Sequence, residues 1–397
     1  MDLAAQRLNA LLDQFFPALN ETIAEMEANG ADVIRLDMGS PDLPPPAGAL
    51  QALLETAALP DSHGYQPNRG LPALRRAWST MYARDYGIEL DPNRQVLPLL
   101  GSKEGIFHLA LAVLNPGDVA LVPDPGYLTY RQGALSAGAQ PYPLPLKAEN
   151  HYLPDFEAVP EAVLCRTRLL WLNYPHNPTC AVAPLEFFRH ALDFARRHQI
   201  LLCHDASYLR VSFDGYQSPS LMQVPGASQL AVEFNSLSKT YNMAGWRLGA
   251  AVGCPEALQA LYTIKGAADS SHFGPIMQAA CIAMLGDQSC ISERNLVYER
   301  RRDRVLAALQ RLGWQAETPK AGLYIWFHIP PGWTSAQFTR HVLQHAHVSL
   351  APGSIFGAQG EGYTRLAFTC PEARLDEALK RLEEDYQKYE PALNDRR

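Results

Sequence analysis

Between about residues 95 and 255 the chain alternates short apolar runs with amphipathic stretches. The runs are almost continuously apolar, which is typical of strands buried on both faces of a parallel sheet. They are VLPLL (96–100), VALV (119–122), RLLWLN (168–173), ILLCH (200–204), AVEFNS (231–236) and RLGAAVG (247–253). An amphipathic segment such as LEFFRHALDFARRH (185–198) has the period of a helix. The alternation predicts an α/β fold with a mostly parallel central sheet and helices on both of its faces.

The pattern changes after about residue 290. SERNLVYERRRDRVLAALQRLG (292–313) predicts one long helix, opened by Ser292 and ended by Gly313. Its run ERRRDR (299–304) has the composition of a solvated helix face. Two further strands, LYIWFHI (323–329) and YTRLAFT (363–369), are each followed by a helical pattern, and MGSPDLPPP (38–46) predicts a crossing between domains. We predict a large α/β domain over 46–290 and a smaller α+β domain from 1–45, with an N-terminal arm, and 291–397.

Composition narrows the classes of partner. The 397 residues include 34 Lys and Arg against 41 Asp and Glu, a net charge of −7, which argues against nucleic-acid and anionic-membrane partners. No apolar run reaches the length of about 18 residues that a membrane span needs, and the start MDLAAQRLNALLDQFF lacks the basic region of a secretory signal. Seven scattered cysteines without a C-x-x-C pair favour a reduced, cytoplasmic setting. We expect no metal site.

Three strand ends carry candidate chemistry, because ligands of open parallel sheets bind beyond the carboxyl ends of the strands. Gly101–Gly105 (GSKEG) follows VLPLL and leads into a helix whose free N–H groups could cradle a phosphate, although such a turn is usually only a turn. Asp205 follows ILLCH and could instead cap a helix. Lys239 follows AVEFNS, where a lysine is normally a solvated surface charge.

Taken together, a lysine, an acid and a phosphate cradle match what pyridoxal phosphate requires. The lysine amine forms a Schiff base with the cofactor, and the acid keeps the ring nitrogen protonated. A helix terminus and an arginine hold the phosphate.

The chain resembles the class I/II, fold type I, pyridoxal-phosphate-dependent aminotransferases. The resemblance rests on SLSKTYNMAGWRLG (236–249), which matches the lysine signature of that family, and on NYPHNPT (173–179), its second signature. It extends through Gly39–Asp42, Y-x-x-x-x-G-x-x-x-L-R (65–75), GSKEG (101–105), PDPGY (123–127) and YTRL (363–366). HDASYLRVSFDGY (204–216) and PSLMQVPGA (219–227) are most similar to the branch of alanine and LL-diaminopimelate aminotransferases.

The resemblance implies catalytic roles for Lys239, Asp205 and Tyr208. Lys239 is implied to bind the cofactor aldehyde and then to move a proton between the substrate Cα and the cofactor. Asp205 is implied to pair with the ring nitrogen, and Tyr208 with Asn177 to hydrogen-bond the ring oxygen. The motif also implies a cis Asn177–Pro178 peptide.

Further positions are implied to bind cofactor or substrate. Those implied for the ring face and the phosphate are Tyr127, which stacks on the ring, and Tyr65, Ser102, Lys103, Ser236, Ser238 and Arg247. Tyr65 is implied to reach in from a second subunit, which makes the protein a homodimer. The substrate α-carboxylate is implied to bind Arg365, assisted by the Gly39 backbone, with Tyr127 and Asn177 beside it.

The implied reaction is a ping-pong transfer of an amino group between an L-amino acid and a 2-oxo acid, with alanine, glutamate or LL-diaminopimelate as donor. A β-eliminating or C–S lyase on the same fold is an alternative, and a pyridoxal-phosphate-binding regulator is a remote one. Two residues depart from the family pattern: Cys180 stands where many relatives have glycine, and Ser207 where close relatives usually have alanine. We expect neither departure to touch a residue with an implied role.

Overall fold

The computed structural model describes residues 5, 8, 11 and 15–394. Eleven residues of the predicted N-terminal segment 1–45 and the last three residues of the predicted small domain therefore lie outside the described residues. The helices are α1 (Phe15–Ala28), α2 (Ala47–Ala57), α3 (Pro72–Tyr86), α4 (Ser102–Val113), α5 (Leu128–Ser136), α6 (Glu161–Leu164), α7 (Leu185–Arg197), α8 (Ala227–Leu230), α9 (Leu237–Thr240), α10 (Pro255–Ala268), α11 (Gly274–Leu285), α12 (Ser289–Arg311), α13 (Ser335–Ala346) and α14 (Glu372–Asn394). The strands are β1 (Ile34–Arg35), β2 (Val96–Leu99), β3 (Val119–Asp124), β4 (Gln140–Pro145), β5 (Thr167–Asn173), β6 (Leu201–Asp205), β7 (Ala231–Ser236), β8 (Gly249–Gly253), β9 (Tyr324–His328), β10 (Val348–Ser349), β11 (Ala351–Pro352) and β12 (Tyr363–Ala367).

A seven-stranded sheet forms the centre of the fold, in the order β2-β8-β7-β6-β5-β3-β4. Strand β8 runs antiparallel to both of its neighbours, and the other strands run parallel to one another. The predicted α/β class with a mostly parallel sheet is confirmed. Since β5, β6 and β7 are adjacent and parallel, their carboxyl ends meet at one edge of the sheet.

All six apolar runs form strands, with shifts at their ends. Strand β6 continues through Asp205, and β8 begins only at Gly249, because Arg247 adopts a left-handed conformation with φ of 55°. Strand β4 was not predicted. Every second residue of its sequence, QPYPLP, is proline. A strand with this composition is tolerated because β4 lies at the edge of the sheet.

The C-terminal region builds two smaller sheets. Strands β11, β12 and β9 form an antiparallel sheet, and β1 pairs in parallel with β10. Strands β9 and β12 are the predicted LYIWFHI and YTRLAFT. Their apolar core also includes Tyr208 and Phe213 from the region of the large sheet. The limits 46–290 and 1–45 with 291–397 stay a prediction.

Helix α12 differs from its prediction in two respects. It begins at Ser289, three residues before Ser292, and it ends at Arg311, ahead of Gly313. The expectation that ERRRDR is a solvated face is wrong for two of its arginines. Arg301 and Arg302 are only 4% and 3% exposed in their side chains. They form ion pairs with Asp42 and Asp214 in loops packed against the helix, a contact that helical periodicity does not reveal.

None of the helices in the described part of the chain has the length and apolar character that crossing a membrane requires.

A fully buried carboxylate joins the elements behind the central strands. Glu233 of β7 accepts hydrogen bonds from the Tyr82 hydroxyl at 2.8 Å and from His204 Nδ1 at 2.9 Å. It also accepts from the Ser220 hydroxyl and the Leu221 N–H, both at 2.8 Å. These bonds connect α3, β6 and the segment before β7. A buried charge is stable only when such donors surround it.

We predict that Glu233→Gln lowers the free energy of unfolding by about 3 kcal/mol, because the amide presents a donor to groups that need an acceptor. Urea denaturation followed by circular dichroism measures the change. Glu293→Gln, on an exposed part of α12, is the control and should change stability by less than about 0.5 kcal/mol. An equal, small effect of both substitutions would contradict the structural role of Glu233.

Candidate functional site

A cleft of about 660 Å³ opens beyond the carboxyl ends of β6 and β7. Every predicted site residue except Tyr65 lines it: Gly39, Ser102, Lys103, Tyr127, Asn177, Asp205, Tyr208, Ser236, Ser238, Lys239, Arg247 and Arg365. Tyr65 lies outside this cleft and is 96% exposed. The structure thus brings together residues that are up to 326 positions apart in the sequence, from Gly39 to Arg365.

Asp205 is a buried carboxylate at the end of β6. Its Oδ1 accepts hydrogen bonds from the Ser207 hydroxyl at 2.6 Å and the Ser207 N–H at 3.2 Å, and its Oδ2 accepts from the Tyr130 hydroxyl at 2.9 Å. Burial raises the pKa of Asp205, and the bonds from Ser207 and Tyr130 oppose that shift. No helix begins directly after β6, where residues 207–210 form a turn, so Asp205 is not a helix cap. It is an acid held by neutral donors.

Lys239 lies on the single helical turn α9, directly after β7. Its Nζ donates to the Gly39 carbonyl at 2.5 Å. Burial, together with the positive charges of Arg365 and Arg247, lowers the pKa of Lys239 to about 8. Lys239 is therefore not an ordinary solvated lysine, and its neutral amine is accessible near physiological pH.

Arg365 of β12 is buried, and its charged guanidinium donates hydrogen bonds to neutral groups. Its Nη1 donates to Asn177 Oδ1 at 2.7 Å, and its Nη2 donates to the Asp37 carbonyl at 2.6 Å. Its Nε is buried without a hydrogen-bond partner among the described residues. The guanidinium also lies over the rings of Tyr324 and Phe356, at 4.2 and 4.7 Å from their centroids. A buried cation with this environment is suited to an anionic ligand.

Gly39 is required by the close approach of Tyr324. A Cβ at position 39 would lie 2.3 Å from the Tyr324 hydroxyl oxygen. That hydroxyl is also 2.8 Å from the hydroxyl of Tyr208. Tyr324 therefore contacts three predicted site residues: Gly39, Tyr208 and Arg365.

The segment around Gly101 forms a concave turn at the start of α4. Gly101 has φ of +84°, and a Cβ there would lie 2.2 Å from Arg247 Nη2. Helix α4 has no side-chain cap, so its first N–H groups remain available to a ligand. Ser236, which also lines the cleft, caps α9 by accepting a hydrogen bond from the Ser238 N–H at 3.2 Å.

Glu104 hydrogen-bonds the backbone that leads into this turn. Its Oε2 accepts from the Leu100 N–H at 2.9 Å, and its Oε1 pairs with His108 Nδ1 at 2.8 Å. Glu104, His108 and Asp269 are close enough to hold a metal ion together. However, Lys265 Nζ lies 2.5 Å from Asp269 and 3.7 Å from Glu104. The lysine already supplies the positive charge that these acids need.

The loop after β5 positions Asn177. Its N–H donates to Asn173 Oδ1 at 2.8 Å, and the Asn177–Pro178 peptide is cis, as predicted. Cys180, three residues on, has φ of 59°, a left-handed conformation that glycine adopts at no steric cost. A glycine, which the family pattern implies at that position, would therefore fit this conformation without strain. The Cys180 thiol is buried, which raises its pKa to about 12.

The expectation that Ser207 touches no residue with an implied role is wrong. Its hydroxyl bonds Asp205 and also lies 3.1 Å from the Ser102 hydroxyl. Sequence reasoning also missed Tyr130, Tyr324 and Arg294. Arg294 of α12 donates through Nη1 to the Lys239 carbonyl at 2.5 Å and so holds the turn that carries the lysine. No motif marks these residues, since each acts through a contact distant in sequence.

The fold and the cleft define an enzyme site of the kind found in aminotransferases, and comparison with known proteins agrees. Residues 31–382 match the model of the family described as aminotransferase class I and II. The chain therefore belongs to that family, whose enzymes depend on pyridoxal phosphate, and it is an aminotransferase.

Individual relatives cover nearly the whole chain. An LL-diaminopimelate aminotransferase of Moorella thermoacetica is 44% identical over 378 residues, which cover 95% of this chain and 97% of the relative. Substrate-bound BacF of Bacillus subtilis has a TM-score of 0.93 and 38% identity, and covers 97% of this chain and 98% of its own. A probable N-succinyldiaminopimelate aminotransferase of Thermus thermophilus has a TM-score of 0.87 and 37% identity, and covers 93% of this chain and 99% of its own.

We predict that Lys239 in cofactor-free protein titrates near pH 8, well below the ordinary lysine value of about 10.4. Its rate of acylation by acetic anhydride, followed by peptide mass spectrometry, should rise through about pH 8 because only the neutral amine reacts. The exposed Lys380 serves as reference for reagent reactivity in the same sample. A Lys239 rate that keeps rising to pH 10 would contradict the effect of burial.

Proposed function

We propose that the cleft binds pyridoxal phosphate and that the chain uses it to exchange amino groups in ping-pong order. One observation carries the proposal. A buried acid, Asp205, and a buried cation, Arg365, each have neutral hydrogen-bond partners, and both line the same cleft as Lys239. A protonated ring nitrogen and a substrate carboxylate are the charges that would complete them.

The remaining residues fit the cofactor. Asp205 would hold the ring nitrogen, Tyr127 would stack on the ring, and Asn177 and Tyr208 would bind its oxygen. The absence of a Cβ at Gly101 leaves room for the Arg247 guanidinium beside the first turn of α4. The groups placed to bind the phosphate are Ser102, Lys103, Ser236, Ser238 and Arg247.

A few side chains share the tasks of the reaction. Pyridoxal phosphate supplies an aldehyde for the amine and a ring that accepts the electron pair left when the substrate Cα loses its proton. Lys239, with a pKa of about 8, would attach the cofactor and then carry that proton. Arg365 would bind the substrate α-carboxylate, and Asn177 and Tyr324 hold its guanidinium in place. A carboxylate held in this way would fix the direction of the Cα–H bond, and such orientation supplies a large part of the lowering of the activation barrier.

For the substrate, we propose LL-diaminopimelate with a 2-oxo acid. Support comes from the relatives named LL-diaminopimelate aminotransferase, which are 41–45% identical to this chain over almost its full length. Alanine and glutamate are the other donors that the sequence allows. The relatives do not favour a lyase.

We also propose a homodimer in the cytoplasm. Tyr65 is 96% exposed, and two helices that pack against each other, α2 and α11, present a surface of exposed apolar side chains together with Leu59 after α2 and Phe273 before α11. We call it the α2–α11 face; its residues are Leu50, Leu54, Leu59, Phe273, Ile282 and Leu285. Such a face would be covered by a second copy, whose cleft would receive Tyr65. Seven free cysteines support a reducing compartment.

The substrate is tested by mixing the holoenzyme with single amino donors and recording the cofactor spectrum. We expect LL-diaminopimelate to give the highest kcat/KM among LL-diaminopimelate, alanine, glutamate, aspartate and phenylalanine. Lys239→Ala should lower every rate by about 10²–10⁴-fold, because the proton carrier is lost, whereas Lys380→Ala on the exposed face of α14 should leave the rates unchanged. Pyruvate release from a β-substituted cysteine faster than any transamination would overturn the proposal.

The homodimer is tested by sedimentation equilibrium. Leu54→Lys places a charge on the α2–α11 face and should produce monomers with weakened cofactor binding, because Tyr65 no longer reaches a partner. Leu296→Lys, at a similarly exposed leucine of α12 (56% against 62%), is the matched control and should remain dimeric. A fully active monomer of the unmodified chain would refute the shared site.

A further inference from the structure

Ser207 lies between the two ends of the proposed cofactor site. Its hydroxyl is 2.6 Å from Asp205 Oδ1 and 3.1 Å from the hydroxyl of Ser102. Ser102 is the first residue of α4, at the phosphate end, and Asp205 is the acid implied for the ring nitrogen. Ser207 is only 8% exposed, so water competes little for these bonds.

The direction of the hydrogen bonds follows from the number of protons. An ionised carboxylate only accepts, so the single hydroxyl proton of Ser207 is donated to Asp205. The Ser102 hydroxyl must then donate its own proton to the Ser207 oxygen. The chain of donors therefore runs from Ser102 through Ser207 to Asp205, and each bond polarises the next.

This arrangement matters because Asp205 is buried. Burial raises the pKa of Asp205, whereas the Ser207 hydroxyl is the largest of the contributions that lower it. The separation of 2.6 Å lies in the range of charge-assisted O–H···O⁻ bonds, which are about twice as strong as neutral ones. Tyr130 donates to the other oxygen, so the carboxylate is held on both sides.

We propose that Ser207 is a positioning residue that keeps Asp205 ionised and links it to the phosphate end of the cleft through Ser102. The inference rests on the proposed cofactor. With Ser207 present, the single proton shared by a bound ring nitrogen and Asp205 would remain on the nitrogen, and Asp205 would stay ionised. Without Ser207, the same proton would shift toward Asp205 and leave both groups neutral.

The test uses full-length holoenzyme loaded with pyridoxal phosphate labelled with ¹⁵N in the ring. In Ser207→Ala the ¹⁵N signal should shift toward that of an unprotonated pyridine, and the affinity for pyridoxal phosphate should fall about tenfold. Pyridoxal, which lacks the phosphate, should lose affinity by the same factor, because the defect is at the ring. Ser102→Ala should move the ¹⁵N signal in the same direction by less. The hydroxyl proton of Ser102 is donated to Ser207, so the group that Ser102 offers the phosphate is its backbone N–H, which the substitution keeps.

Two variants control for structure. Ser218→Ala removes another buried hydroxyl (6% exposed) that has no hydrogen-bond partner among the described residues, and it should match the unmodified enzyme. Ser207→Thr keeps the hydroxyl and should give the ¹⁵N signal of the unmodified enzyme. This variant tests the role of the hydroxyl even if Ser207→Ala folds poorly.

The outcomes separate the two proposals. Failure of the unmodified chain to bind pyridoxal phosphate would refute the proposed function itself. Normal binding with the same ¹⁵N signal in Ser207→Ala and Ser218→Ala would overturn the role of Ser207 and leave the proposed function standing. An unchanged signal in Ser102→Ala alone would overturn the link to the phosphate end.

Discussion

The chemistry of the cleft depends on charged groups that are removed from water but are not paired with one another. Asp205, Lys239 and Arg365 are all desolvated there, and removing a charge from water costs several kcal/mol. Neutral dipoles offset that cost: hydroxyls around Asp205, and an amide and a carbonyl around Arg365. Because these dipoles are fixed by the fold, the charges stay available to a ligand.

The same constraint explains the altered acidity of the site. Lys239 loses hydration and lies near two arginines, so its pKa falls to about 8. Asp205 loses hydration too, and its pKa rises. The shift of Lys239 makes its neutral amine available to move a proton near neutral pH, whereas the hydrogen bonds from Ser207 and Tyr130 oppose the rise at Asp205. In a more hydrated cleft, the same residues would have pKa values much closer to their ordinary ones.

Holding the dipoles in place requires elements from distant parts of the chain. The segment Asp37–Gly39 receives hydrogen bonds from both Lys239 and Arg365. A few residues later, Asp42 is tied to α12 by its ion pair with Arg301. From the same helix, Arg294 binds the carbonyls of the α9 turn. Helix α12 thus supports the lysine turn and the segment that faces it.

The sequence by itself determined the class of the fold, and its motifs indicated residues that the structure places around one cleft. Apolar runs mark buried strands, and the residues directly after them, Gly101, Asp205 and Lys239, reach one edge of a parallel sheet. Tertiary structure alone decided the rest. Ser207 bonds a serine 105 positions away, Arg294 reaches back 55 positions to the lysine turn, and Tyr324 packs on Gly39. Such contacts depend on how separate elements pack, and helical or strand periodicity records only which face of each element is buried.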